Sequence, residues 1–338
     1  MEATSPMSGE STEGASFLDG LPAWVRSVPE VRDGEWAARS WRPVAEWRHG
    51  SKRFVAGDLL CTDASGETLV FHLLIDPGGR RAPVWQIYEG LKALWGSGMR
   101  APSPYRVPRP FACDTAANVL VREFLAGRTW ADSVLRTGAV DSGISERVAG
   151  WLIALQRIKA PGLLTAKPYP YRIIERATEL ADTLDYRPVA DRIVGIAESV
   201  SKSIDRYAGQ LVVSHGDFHP KNVLLCGTDV VAFDTDRLGL REPAADPGRA
   251  LGQLMSMSLA RLGATDAGAR AGRWFQDAYD SSEGPAPRGR VALHFVATLF
   301  ECVHYRVVIG TGAWPGTPRA WADSLERILD EGSSDDGS

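Results

Sequence analysis

Apolar positions fall into two regimes along the chain. Up to about residue 125 they come in short runs rich in β-branched and aromatic residues, at 43–47, 53–62, 68–75, 107–112 and 118–124. Such runs, bounded by Gly, Pro, Asp and Ser, read as strands. One amphipathic stretch at 84–95 interrupts them. From Thr129 onward apolar residues recur at three- and four-residue steps, as in Val148, Trp151, Leu152, Leu155 and Ile158. This spacing predicts helices over 130–136, 145–158, 173–183, 189–207, 248–262, 266–280, 288–308 and 317–329, with Ser142 or Ser145 starting the second of them. Strand character returns within the helical part at 210–214, 223–226 and 230–233, the last two joined by the tight turn Gly227-Thr228-Asp229.

This pattern predicts an α+β protein of two domains, an antiparallel five-stranded sheet over 17–125 and a larger, mainly helical domain over 126–330. Residues 21–41, with Trp24, Val25, Val28, Val31, Trp36 and Trp41, read as a short helical preface to the first. The segments 1–16 and 331–338 are polar and small, with little to bury, and read as disordered tails.

Composition narrows the classes of function. The 338 residues are 44% apolar and 24% charged, with a net charge of −4. The balance argues against a nucleic-acid partner, which calls for a basic face. Four cysteines, Cys61, Cys113, Cys226 and Cys302, show no metal or disulfide spacing, as expected of a reducing cytoplasm. The start carries no basic and apolar leader, and no uninterrupted apolar run approaches a membrane span. A soluble cytoplasmic protein is expected.

Chemistry concentrates in His215-Gly216-Asp217-Phe218-His219-Pro220-Lys221-Asn222 and in Phe233-Asp234-Thr235-Asp236. A strand delivers the first segment to a loop, and a hairpin carries the chain from Asn222 to Asp234. Each hairpin strand is about four residues long, so the two residues return to each other. Phosphoryl transfer needs this combination, a carboxylate beside the attacking hydroxyl and hard oxygen ligands for Mg²⁺ beside the phosphates. Asp217 would orient or deprotonate the hydroxyl, with Asn222 and Asp234 on the metal.

The D-x-x-x-x-N spacing followed by a strand-end Asp matches the catalytic loop and metal-binding Asp of protein kinases. The form here, H-G-D-F-H-P-K-N-V-L, resembles the aminoglycoside phosphotransferase family of kinase-like enzymes. Phe233-Asp234 through Gly239, then Glu242-Pro243 and Asp246, resembles that family's continuation. The resemblance implies a bilobal protein-kinase-like fold with ATP and Mg²⁺. It implies backbone recognition of adenine at Glu123, Phe124 and Leu125, and a structural Asp246 tying down the catalytic loop. His215 braces the loop in this reading. Lys221 either stabilises charge at the γ-phosphate or is solvated, and Asp236 is a second metal contact or simply exposed.

The connection Gly50-Ser51 with Lys52 and Arg53 reads either as a phosphate-covering loop or as an ordinary basic hairpin turn. The third strand departs from the family. Where the resemblance calls for a lysine that holds the α- and β-phosphates, this strand has His72 or Leu73, depending on register. Glu89 on the following helix therefore has no lysine there to pair with, and Lys52, Arg53, Arg80 or Arg81 would have to compensate. Three readings of function stay open. One is transfer to a small-molecule hydroxyl, such as an aminoglycoside-like natural product. Another is transfer to Ser or Thr of a peptide in natural-product biosynthesis. The third is a nucleotide-binding regulator acting with a partner protein.

Overall fold

The computed structural model describes residues 36–49, 52–63, 68–75, 84–115, 119–136, 141–159, 171–310 and 312–335. The tail 1–16, most of the helical preface, Gly50, Ser51, Arg80 and Arg81 lie outside the described residues. The chain divides into two compact units, one drawn from residues up to Ala93 with Pro108–Leu125, the other from Leu94–Val107 and Ala126 onward.

The first unit contains β1 (Trp36–His49), β2 (Lys52–Asp63), β3 (Thr68–Ile75), most of helix α1 (Val84–Gly96), β5 (Pro110–Asp114) and β6 (Val119–Glu123). A sheet in the order β1-β2-β3-β6-β5 joins the strands through antiparallel pairs. Trp36 and Trp41 belong to this sheet, opposite Asp63 and Leu59, and not to a helix. Their spacing suits a helical stripe as well as a bulged strand, and pairing with β2 decides between them. β6 buries Val119, Leu120, Val121 and Arg122 in succession.

In the second unit, β4 (Tyr105–Arg106) lies parallel to β10 (Asp229–Ala232), which pairs with β9 (Val223–Cys226) and through it with β7 (Arg128–Thr129). A separate ribbon pairs β8 (Val212–Ser214) with β11 (Gly239–Arg241). Strand structure begins before the stretch expected from residue 107, and β5 starts at Pro110. β4 is two residues long, too short for a periodic signal.

The helices are α2 (Trp130–Leu135), α3 (Ser142–Gln156), α4 (Ile173–Ala181), α5 (Arg187–Asp205), α6 (Ala245–Leu262), α7 (Asp266–Ser281), α8 (Arg288–His304) and α9 (Pro318–Asp335). Local chemistry sets several ends. α3 starts at Ser142, one of the two expected positions, and Asp141 before it is the cap, accepting from Gly143 N at 2.9 Å. Gly263, at φ 70°, ends α6 in the left-handed region, where glycine carries no Cβ penalty. α9 runs through Asp335, so Glu331–Asp335 are helical and not tail. Ser and Asp are weak helix formers but do not stop a helix that already has a packed face.

Two cores hold the unit. Ile173, Leu180, Ile193, Val200, Phe300 and Leu325 join α4, α5, α8 and α9. An aromatic column of Trp130, Trp151, Phe218, Phe275 and Tyr279 runs under the β8–β9 loop. Arg288–Ile309, α8 with the π turn Tyr305–Ile309, is 22 residues long and contains an 18-residue stretch of mean hydropathy 1.3, sufficient in length and composition for a membrane span. Reading uninterrupted runs passes over it because Arg288, Arg290, His294 and Glu301 break the apolar sequence. Half of that stretch is buried, and inside the unit Arg290 and Glu301 make ion pairs while His294 hydrogen-bonds Glu242, as in a core helix.

Candidate active site

β8 ends at Ser214, held opposite Gly239, and the chain turns sharply into His215-Gly216-Asp217. Asp246, fully buried in the first turn of α6, anchors this turn. Its carboxylate accepts from His215 N at 2.7 Å and Gly216 N at 3.0 Å. Two charge-assisted bonds and the helix N-terminus offset the cost of burying that charge. Gly216 has φ 78°, and a Cβ there would run into the Arg237 carbonyl oxygen and lie 2.6 Å from Arg241 Nη1. The position therefore requires glycine.

His215 is fully buried, and its ring is engaged on both sides by backbone. Nδ1 accepts from Asp217 N at 3.3 Å, so Nε2 carries the proton and donates to the Phe233 carbonyl at 2.9 Å. It ties the loop to the end of β10, as the brace expected from the sequence would. Phe218 drops into the aromatic column, stacked on Trp151 with centroids 5.4 Å apart. His219 caps a 3₁₀ turn, Pro220–Asn222, by accepting from Lys221 N. Lys221 is exposed.

Asn222 donates from Nδ2 to the Asp217 carbonyl at 3.1 Å, which leaves its Oδ1 as an acceptor. The hairpin then returns the chain. Val223 pairs with Ala232, and Phe233 N donates to the Asn222 carbonyl at 3.0 Å. Asp234 follows immediately in a left-handed conformation, φ 65° and ψ 53°, which turns the chain into the 3₁₀ turn Thr235–Arg237. Asp tolerates that region better than most residues. Thus Asp217, Asn222 and Asp234 come together, with half-buried Asp236 two residues on.

The Asp217 carboxyl is 14% exposed. Burial pushes its pKa up, but the cations near it, Arg249 first and then Arg237, with the two loop histidines adding to them, outweigh this and leave it below its ordinary value. Burial, opposed by Asp217, brings His219 down to about 4, so its ring is neutral at pH 7. Its 4.0 Å approach to Asp217 is therefore not an ion pair at that pH.

The sequence reading missed Arg249. Its Nε donates to Asp217 Oδ1 at 2.6 Å and its Nη1 to Glu301 Oε2 at 3.0 Å. Arg176 approaches the same Glu301 oxygen at 3.4 Å. The signal was present as charged residues set into the apolar stripes of α6 and α8, but nothing local told which partner each would meet.

The remaining predicted positions belong to the first unit. Lys52 and Arg53 pair with His49 and Arg48, and His72 pairs with Asp58 on one side and Arg122 on the other. Glu123 ends β6, its N–H bonded to the Arg109 carbonyl at 2.8 Å, and half-buried Phe124 and Leu125 follow it.

The donor set suits Mg²⁺. Asn222 and Asp234 offer hard oxygens from adjacent positions, and no cluster of three His, Cys, Asp or Glu forms a closed cage among the described residues. Mg²⁺ bound with nucleotide takes one or two protein oxygens and completes its shell with phosphate and water.

A loop carboxylate, an amide and a strand-end carboxylate on one hairpin define a phosphoryl-transfer type of site. The chain belongs to the phosphotransferase enzyme family, whose sequence model matches residues 81–288. No curated protein matches it by sequence. Solved structures share the fold. A choline/ethanolamine kinase family protein from Mesorhizobium loti superposes with a TM-score of 0.55 at 16% identity, over 92% of this chain and 93% of its own. Aminoglycoside phosphotransferase APH(2'')-Ib, bound to ADP, gives 0.53 at 13%, over 91% and 97%. Amicoumacin kinase hAmiN, in complex with AMP-PNP, Ca²⁺ and Ami, gives 0.53 at 12%, over 85% and 88%.

Proposed function

We propose that the protein transfers the γ-phosphoryl group of ATP to a hydroxyl of a small molecule, in the cytoplasm. The observation that carries this is the convergence of Asp217, Asn222 and Asp234 through the β9–β10 hairpin, in a chain of the phosphotransferase family. The names of the fold neighbours, aminoglycoside, amicoumacin and choline/ethanolamine kinases, favour a small-molecule acceptor over a peptide.

Asn222 Oδ1 and the Asp234 carboxylate would hold Mg²⁺, with Asp236, two residues on, as a further candidate oxygen donor. The metal, when bound, neutralises charge developing on the phosphate oxygens. Asp217 stays ionised, and its carboxylate accepts the hydrogen bond of the acceptor hydroxyl and orients the oxygen towards phosphorus. The new O–P bond forms as the bond to the β-phosphate oxygen breaks and ADP leaves, while the hydroxyl proton passes to Asp217. A carboxylate held below its ordinary pKa is a weak base, so orientation is its main contribution and the proton moves late. Lys221, at the surface of the same loop, supplies positive charge near the transferred group. Backbone groups at Glu123–Leu125 read the adenine. His72 or Leu73 stands where the resemblance calls for a lysine, and Arg122 is the register partner of His72 on β6.

Calorimetric titration with Mg·ATP tests the site without knowledge of the acceptor. Wild type and Asp217→Asn should both bind, and Asp234→Asn should bind roughly tenfold or more weakly through loss of one charged metal ligand. Label from [γ-³²P]ATP should then reach a hydroxyl in a panel of small molecules and Ser/Thr peptides with wild type but not with Asp217→Asn. Equal binding by Asp234→Asn would sink the metal role, no binding by wild type would remove the nucleotide site, and binding without transfer to any acceptor would point to a regulator. Label on peptides alone would shift the acceptor class.

A further inference from the structure

Arg249 is the one charged side chain that reaches Asp217 within hydrogen-bonding distance from outside the loop, among the described residues. It is 6% exposed, and its guanidinium is divided between two carboxylates, Asp217 on the loop and Glu301 on α8. Behind Glu301 stands Arg176 on α4. Three helices, α6, α8 and α4, thus meet the loop carboxylate through an alternating row of charges. The other charged or titratable groups around Asp217 are His219, His215 and Arg237.

This arrangement does more than neutralise a buried acid. The loop backbone is held by Asp246 and by the His215 ring, through bonds that do not involve Arg249. What Arg249 holds is the rotation of the Asp217 side chain. With Oδ1 engaged at 2.6 Å, the plane of the carboxylate is set and Oδ2 is left for an incoming hydroxyl. A planar fork seated on Glu301 has little freedom of its own, so it can pass that rigidity on.

We propose that Arg249, seated by Glu301, is a positioning residue that sets the carboxylate of Asp217 for the acceptor hydroxyl. The inference rests on the phosphotransferase reading above. It makes acceptor orientation a property of the α4–α6–α8 helices as well as of the loop. A residue acting in this way changes turnover and leaves nucleotide affinity alone, because the nucleotide metal sits on Asn222 and Asp234.

The test uses the full chain and water as acceptor, following single-turnover hydrolysis of [γ-³²P]ATP beside calorimetric affinity for Mg·ATP. Arg249→Met should lower turnover about tenfold to a hundredfold, the loss expected when one charge-assisted orienting contact goes. Affinity for Mg·ATP should stay within about twofold. Arg249→Lys keeps a charge but cannot fork to both carboxylates, so it should recover part of the loss. Glu301→Gln, which leaves Arg249 in place but loosens its seat, should fall between wild type and Arg249→Met. Turnover in Arg249→Met equal to wild type overturns the inference and leaves the proposed function standing. So does a loss of affinity in step with turnover, or a lysine variant no better than methionine, since either marks a plain structural tie. A wild-type chain that neither binds nor hydrolyses ATP removes the proposed function, and this inference with it.

Discussion

At the scale of single residues, the site depends on a few positions where backbone conformation leaves no choice. Gly216 is the sharpest. Its positive φ and the closeness of Arg237 and Arg241 mean that any side chain must move backbone or a buried guanidinium. Gly216→Ala should destabilise the second unit by more than about 2 kcal/mol, combining left-handed strain with a steric clash. Urea denaturation would show it, and a midpoint unchanged from wild type would mean that the loop relaxes freely. The closeness of Asn222 and Asp234, with Asp217 bonded to Asn222, was readable because it depends on spacing along one hairpin, which sequence preserves. Arg249 was not, because its partners lie on a loop 32 residues before it and on a helix 52 residues after it.

Secondary-structure elements are tied to the site by a second buried charge cluster. Glu242, just after β11 and 8% exposed at its side chain, accepts from Arg290 Nε at 2.5 Å and from His294 Nε2 at 2.9 Å on α8. His294 Nδ1 accepts in turn from Tyr171 OH at 3.0 Å. Burial pushes the Glu242 carboxyl up, but the bonds from His294 and Arg290 outweigh it and leave the group below its ordinary value of 4.5. A carboxyl depressed in the folded state adds stability above its unfolded pKa, and that stability is lost as pH falls through the folded value. Unfolding free energy should therefore decline below about pH 4.5. Glu242→Gln should lower stability at pH 7 and flatten that acid limb. An acid limb of the same steepness in both proteins would place the titration elsewhere. At this scale long helices were easy to read from periodicity. Pairing had the last word on short elements, putting Trp36 and Trp41 in β1 and making a two-residue strand of Tyr105–Arg106 beside a hairpin more than a hundred residues away.

For the whole molecule, the division into a sheet-rich part and a helical part follows from the change of apolar period near residue 125. The structure modifies that division in one respect, since Leu94–Val107 joins the helical unit and carries β4 onto the sheet that holds the β9–β10 hairpin. The catalytic loop, the hairpin, α6 and the row of charges through Arg249 all lie in this one unit. Its thermal unfolding should therefore report nucleotide binding directly. At about one hundred times Kd, Mg·ATP adds roughly 2.7 kcal/mol to the folded state, or some 5–10 °C for a unit of this size. If Asn222 and Asp234 reach the phosphates through a metal, as proposed, excess EDTA should remove most of that shift while ATP is still present. The same collapse is expected in Asp234→Asn with Mg²⁺ in excess. A shift that survives chelation would mean that cations of the chain hold the phosphates directly, and the roles of Lys221, Arg122 and the β1–β2 connection would rise at the expense of the metal hairpin.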